Sequence, residues 1–218
     1  MTSAWADQVD DVVAQLAGHI RMIGVDFDKT FISKHTGGGP FRHDDIVRAV
    51  EPVFPIIMKA AQTHGIQSSI VTFSTQEEAI AEVLRVVLAS DNMPLVVRGS
   101  GARDYALPPR DGAAAVARGG KSPHLASAWC ALIGDEVAFA QMLLIDDDAA
   151  NVKNARARGA AAIHWSGDPE ELVRDLARVA ERRRDDAAAV RRPCRWCGCC
   201  TSSRAKPALP GADAGASR

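Results

Sequence analysis

Two carboxylates two positions apart, Asp26 and Asp28, stand directly behind the apolar run Met22-Ile23-Gly24-Val25, with the hydroxyl of Thr30 two positions further on. A short, continuous apolar run reads as a parallel strand buried on both faces. Ligands of open α/β sheets collect just beyond the carboxyl ends of such strands. Three more reactive points come later in the chain, in order. Thr72, with Ser74 beside it, ends the run Ser68-Ser69-Ile70-Val71, and Lys121 opens a helical stretch after a long loop. Asp146-Asp147-Asp148 ends Met142-Leu143-Leu144-Ile145, and Asn151 lies one turn later. If the strands lie side by side, these points meet in one crevice.

The residue types agree with a single chemistry. Phosphoryl transfer needs a nucleophile in line, a metal, and donors or a cation on the equatorial oxygens. Clustered hard oxygen ligands with open positions suit Mg²⁺. Asp26 is expected to be the nucleophile, forming an aspartyl-phosphate. Asp28 is expected to protonate the leaving oxygen and then activate water. Thr72 and Lys121 would hold the phosphoryl group, with Thr30 and Ser74 near it. Asp146 and Asp147 would complete a metal site with Asp26 and Asp28. The run of three acids leaves two pairs open; the strand end and the DDxxxN spacing to Asn151 favour Asp146-Asp147. Thr72 fits the strand terminus better than Ser74, and both remain open.

These residues need elements to position them. Short apolar runs alternating with helical patterns predict an α/β fold with a doubly wound parallel sheet. The spacing predicts a leading helix over 4–17 and strands near 21–26, 66–72, 94–98, 141–145 and 160–165. Helices are predicted over 44–64, split or kinked by Pro52 and Pro55, and over 76–89, 149–158 and from Asp168-Pro169 onward. Another begins at Lys121-Ser122-Pro123, where a first-turn proline costs little. The expected organisation is an N-terminal helix in 1–19, a catalytic domain in 20–184 and a disordered tail in 185–218, where apolar periodicity ends.

Composition narrows the class. The chain has 218 residues, 47% hydrophobic and 24% charged, a profile suited to one α/β domain with an appendage. No apolar run is long enough to span a bilayer. The N-terminus, with Asp7, Asp10 and Asp11, resembles neither a signal nor a transit peptide, so a cytoplasmic location is expected. Residues 1–180 carry 17 Lys+Arg against 23 Asp+Glu, whereas 181–218 carry 9 against 4. An acidic body is a poor platform for a nucleic-acid backbone.

The order strand–DxDxT, strand–Thr, Lys, strand–DDxxxN resembles the haloacid dehalogenase (HAD) superfamily over roughly residues 20–180. Motif one is Asp26-Phe27-Asp28-Lys29-Thr30, motif two Thr72, motif three Lys121 and motif four Asp146-Asp147-Asp148-Ala149-Ala150-Asn151. The resemblance implies a Rossmann-like sheet in the order 5-4-1-2-3, Mg²⁺ as cofactor, and phosphatase activity on phosphomonoesters. It leaves as alternatives a phosphotransferase with another acceptor, or a non-catalytic phosphate- or protein-binding module. Asp28 argues against dehalogenase chemistry, since members of that type lack an acid there. A receiver domain also combines acids, a hydroxyl and a lysine, but its lysine comes last, whereas Lys121 precedes Asp146 here.

Forty-one residues separate Thr30 from Thr72 and 48 separate Thr72 from Lys121, too few for an inserted cap domain. The resemblance is to capless members, whose open clefts often admit macromolecular or bulky phosphoesters; whether the phosphorylated substrate is a small molecule or a macromolecule stays open. Recognition would then come from loop residues: Lys34, His35, Arg42, His43, Arg103, Arg110 and above all Arg98 at a strand end. His19, His64 and His124 are read as surface or capping residues, and the tryptophans and Cys130 as core. The tail places Cys194, Cys197, Cys199 and Cys200 within seven residues. Metal binding and S-acylation are its two open chemistries beside no specific role, and adjacent Cys199-Cys200 makes closure around one zinc strained.

Overall fold

In the computed structural model, which describes residues 4–37, 40–89, 96–100 and 119–191, the expected apolar runs pair into one parallel sheet. Its strands are β1 (Met22–Val25), β2 (Gln67–Val71), β3 (Val96–Arg98), β4 (Met142–Asp146) and β5 (Ala161–His164). They lie in the order β3-β2-β1-β4-β5, the doubly wound order 5-4-1-2-3 read from the other edge. The register sets Val25 beside both Ile70 of β2 and Ile145 of β4. The strand ends therefore align.

Alternation along each strand feeds two cores. Ile23, Val25, Ile70, Leu143, Ile145 and Ile163 face one side. There they meet α1 (Ala4–Leu16), α3 (Val53–Thr63), α4 (Glu77–Leu88) and the last helix, α7 (Pro169–Arg191). Met22, Val71, Met142 and Leu144 face the other, against α5 (Ser122–Leu132) and α6 (Ala149–Ala157). Residues buried on both faces of a sheet give runs without polar alternation, which is why β1 and β4 were readable. Phe54 and Trp129, both fully buried, are among the largest members of the two cores, each worth about 1.5–3 kcal/mol of transfer free energy or more.

The predicted helix over 44–64 is two helices, α2 (His43–Val47) and α3, separated at Pro52, which stands at the N-cap of α3. The proline breaks the helix where it lacks a donor for the preceding turn. Ile46, Val53, Phe54, Ile57 and Met58 all join the main core, so this stretch belongs to the body of the domain. The N-terminal helix packs on it as well, through Val9, Val13 and Leu16 against α3 and α7.

One boundary is corrected. Helix α7 continues to Arg191, past the expected break at 184, because Asp185–Val190 is alanine-rich and no breaker occurs before Pro193. The expected tail from 192, including Cys194, Cys197, Cys199 and Cys200, lies outside the described residues. So do most of the long loop before Lys121, with Arg103 and Arg110, and the start of the expected third strand at 94–95.

Candidate active site

Because β1 and β4 are neighbours in register, the residues that end them are neighbours too. The backbone N–H of Asp26 donates to Ile145 O at 2.9 Å, which brings Asp26 beside Asp146 at the carboxyl edge of the sheet. Thr72 ends β2 on the other side of β1, its N–H donating to Arg98 O at 2.9 Å. Lys121 arrives from the helix layer as the N-cap residue of α5. Its ammonium donates to Asp26 Oδ1 and lies 3.3 Å from Asp146 Oδ2, with the lysine side chain only 2% exposed. Glycine makes that approach feasible: Gly120 has φ +55°, and a Cβ there would meet Asn151 Oδ1 at 2.8 Å.

Burial dominates the electrostatics. It lifts the Asp26 carboxyl from 3.8 to about 7, opposed by the Lys121 ammonium and reinforced by Asp146. Asp146 is raised for the same first reason, again opposed by Lys121. Its carboxylate also accepts Asn151 Nδ2 at 3.2 Å on both oxygens and Asp148 N at 2.8 Å. Asp26, Asp146 and Asp147 each offer an oxygen within 4.8 Å of the others. Three carboxylates against one ammonium leave two negative charges, which a divalent cation with hard-oxygen preference would balance. The donor set thus fits Mg²⁺.

Asp28, the fourth acid expected at the metal, is not one of these three closely grouped carboxylates. Lys29, at φ +58°, reverses the chain immediately after it, a left-handed conformation that non-glycine residues adopt mostly under tertiary constraint. The Asp28 carboxylate consequently turns to the loop over 33–36, accepting Thr36 N at 2.6 Å and Thr36 Oγ1 at 3.2 Å, with His35 Nδ1 at 3.7 Å. That loop is closed at its base by Ser33 N to Ala49 O at 2.8 Å and Glu51 N to Phe31 O at 2.9 Å. Asp28 still lines the cleft.

The other expected residues separate. A cleft of about 200 Å³ is lined by Asp26, Asp28, Lys29, His35, Thr72, Phe73, Lys121, Asp147, Asp148 and Asn151. Thr30 is buried beneath it, accepting Asp147 N at 3.0 Å and lying 3.4 Å from Asp147 Oδ1. It therefore ties the β1 turn to the β4 turn instead of facing a substrate. Ser74 lies behind Thr72: its N–H donates to Thr72 Oγ1 at 3.0 Å, and its own Oγ accepts Gln76 N at 3.1 Å. Arg98 is not brought to the cleft either. It lines a separate groove with Glu77, Glu78 and Glu82 of α4, at the edge strand. Asp148 caps α6, accepting Ala150 N at 2.7 Å, which separates it in role from Asp146 and Asp147. A larger groove, about 280 Å³, runs along β5 beside Arg156, Arg178 and Arg182, away from this chemistry.

Two residues of the site were not anticipated. Phe73 is 43% exposed and stands at the cleft. His124, expected at the surface, is fully buried and packs edge-on against Phe73, centroids 5.3 Å apart at 82°. Burial, then the nearby Lys121 charge, pushes its pKa down to about 4, so its imidazole is neutral at ordinary pH. Helical spacing from Lys121 was the one available signal: His124 stands a turn later on the face α5 turns to the sheet. Cys130, expected in the core, is exposed. Single-residue burial of this kind depends on how α5 rolls against the sheet, which periodicity alone does not set.

No family model matches this chain, and no curated protein matches its sequence. Among solved structures it is similar to a hypothetical protein from Xanthomonas campestris at 15% identity, covering 88% of this chain and 96% of that one, with a TM-score of 0.43. It is similar also to a proposed 3-deoxy-D-manno-octulosonate 8-phosphate phosphatase from Vibrio cholerae, at 15% identity over 78% and 90% of the two chains, with a TM-score of 0.40. At such scores neither likeness bears on activity. No helix of the described residues is long and apolar enough to cross a membrane.

Proposed function

We propose that this chain is a Mg²⁺-dependent phosphomonoester hydrolase that acts through an aspartyl-phosphate on Asp26. The observation that supports this most directly is the buried Lys121 ammonium, shared between Asp26 and Asp146 at the carboxyl edge of the sheet. An ammonium so placed can pass from the carboxylates to a phosphoryl oxygen without moving its backbone. Thr72 Oγ1 accepts the Ser74 N–H, so its own proton is left to donate to a second phosphoryl oxygen. Asp26 attacks phosphorus; the bond to the leaving oxygen breaks as Asp28 gives that oxygen its proton. Asp28 then takes a proton from the water that hydrolyses the acyl-phosphate, returning Asp26. Mg²⁺, held by Asp26, Asp146 and Asp147, would supply the charge neutralisation that lets an anionic nucleophile approach a phosphate dianion.

The test is phosphate release from an aryl phosphate with Mg²⁺ and with chelator. Asp26→Asn should lower kcat by more than about 10³-fold, and chelation should abolish turnover. Acid quench of the wild type should trap a phosphoryl group on the protein that hydroxylamine removes. Full activity in Asp26→Asn, or phosphate release unaffected by chelator, would refute the mechanism. Product formation that depends on an acceptor other than water would redirect it to a transferase.

A further inference from the structure

Displacement at phosphorus is in line, so the leaving group of any substrate attacked by Asp26 points away from Asp26 and out through the mouth of the cleft. Of the lining residues, all but one carry a polar or charged side chain; the exception is Phe73. Among the described residues two large apolar side chains are exposed, Phe73 at 43% and Val86 at 55%, and Val86 is on the surface of α4, outside the cleft. Scattered surface hydrophobes need no explanation. An aromatic ring directly after Thr72 at the rim of a charged cleft does: the Lys121 ammonium lies over the ring, yet 43% of the residue stays exposed with no other apolar side chain among the cleft's lining residues.

The ring is also held in place. The fully buried His124 packs against it in an edge-on pair, and the Lys121 ammonium lies 5.1 Å from its centroid. A ring packed against His124 with an ammonium over it loses little rotamer freedom when a ligand covers it, so contact with it contributes nearly its full value. Aromatic faces and edges favour other planar groups, by offset stacking or edge-on packing.

We propose, resting on the phosphoester reading of this cleft, that Phe73 is the specificity-determining contact for the leaving group and that the substrates are phosphomonoesters with a planar, apolar leaving group of the aryl type. His124 serves as the positioning residue that braces the ring. Lys121 and Thr72 recognise the phosphoryl half of the substrate; Phe73 recognises the half that departs.

Two non-hydrolysable probes separate the halves. Phenylphosphonate and methylphosphonate present the same anionic head, one with a ring and one with a methyl group. Titration calorimetry with Mg²⁺ present should show the wild type binding phenylphosphonate about tenfold more tightly. In Phe73→Ala that ratio should fall to near one; in Phe73→Trp it should persist, and in Phe73→Leu it should lie between. The kcat/KM ratio for phenyl over methyl phosphate should follow the same order. Equal affinities in the wild type, or an unchanged ratio in Phe73→Ala, would overturn the assignment while leaving the phosphate site standing. Binding of neither phosphonate would overturn the phosphoester reading and this inference with it.

Discussion

Among the described residues Lys121 is the one ammonium within ion-pair distance of Asp26 and Asp146 in the three-carboxylate group, and it is almost wholly buried. Removing one partner of such a group leaves uncompensated charge in a low-dielectric site, at a cost of about 3–5 kcal/mol. Lys121→Met, close in length and without charge, should therefore lower unfolding free energy by about that amount at pH 8 without metal. Urea titration measures it, and added Mg²⁺ should recover part of the loss. Turnover should drop about 10²–10³-fold, as for loss of one oxyanion donor. Lys121→Arg should not rescue it, because a planar fork does not occupy the place of a compact ammonium between Asp26 and Asp146. Asp26, Thr72, Lys121 and Asp146 were legible in the sequence because each stands where an apolar run ends or a helix begins, so position along the chain implied position in space. The roles of Asp28 and Thr30 were harder to read. The left-handed Lys29 swings the chain between them, turning one carboxylate toward Thr36 and burying one hydroxyl against Asp147.

Between β1 and α5 the packing is as close as glycine permits. A Cβ at Gly24 would meet Leu125 Cδ2 at 2.5 Å and Val71 Cγ2 at 3.3 Å. Leu125 is fully buried, so its branch has no free space to swing into. Gly24→Ala should push α5 outward and destabilise the protein by about 1–3 kcal/mol. Since Lys121 caps that helix, a shift of the helix also draws the ammonium away from Asp26, and kcat should fall with stability. Leu125→Ala added to Gly24→Ala should recover part of both, since it vacates the space the new methyl needs. Strictly additive losses in the double-mutant cycle would show that the contact does not couple strand to helix. At this scale the sequence was most readable. Runs buried on both faces announced β1 and β4, and Pro52 announced the break between α2 and α3. The extension of α7 to Arg191 was missed because apolar periodicity fades before helix propensity does in Asp185–Val190.

Two buried titrations pull the whole molecule in opposite directions with pH. Asp26 is raised in the folded state from 3.8 to about 7. The stability linked to its protonated form is complete below pH 4 and is lost as pH climbs through 7. His124 is depressed from 6.5 to about 4. Its contribution is complete above pH 6.5 and is lost as pH falls through 4. Between pH 4 and 6.5 the two slopes oppose each other; between 6.5 and 7 the carboxylate slope stands without that opposition. The metal-free protein should thus show a shallow stability profile between pH 4 and 6.5 and a decline from 6.5 to about 7, where the Asp26 contribution is exhausted. His124→Gln should remove the opposing slope, so that the decline with rising pH begins near pH 4. Saturating Mg²⁺ should act on the other member, because a bound cation favours the ionised carboxylates and cancels their loss. With Mg²⁺ the profile should rise from pH 4 to 6.5 and then level off, and the Mg²⁺-induced Tm shift should grow with pH up to about 7. Thermal melts at fixed ionic strength, from pH 4 to 8 with and without Mg²⁺, measure both effects. A Tm shift from Mg²⁺ that is the same at pH 5 and pH 8 would show that no proton leaves Asp26 or Asp146 when the cation binds, and so that burial does not hold these carboxyls protonated in the metal-free protein.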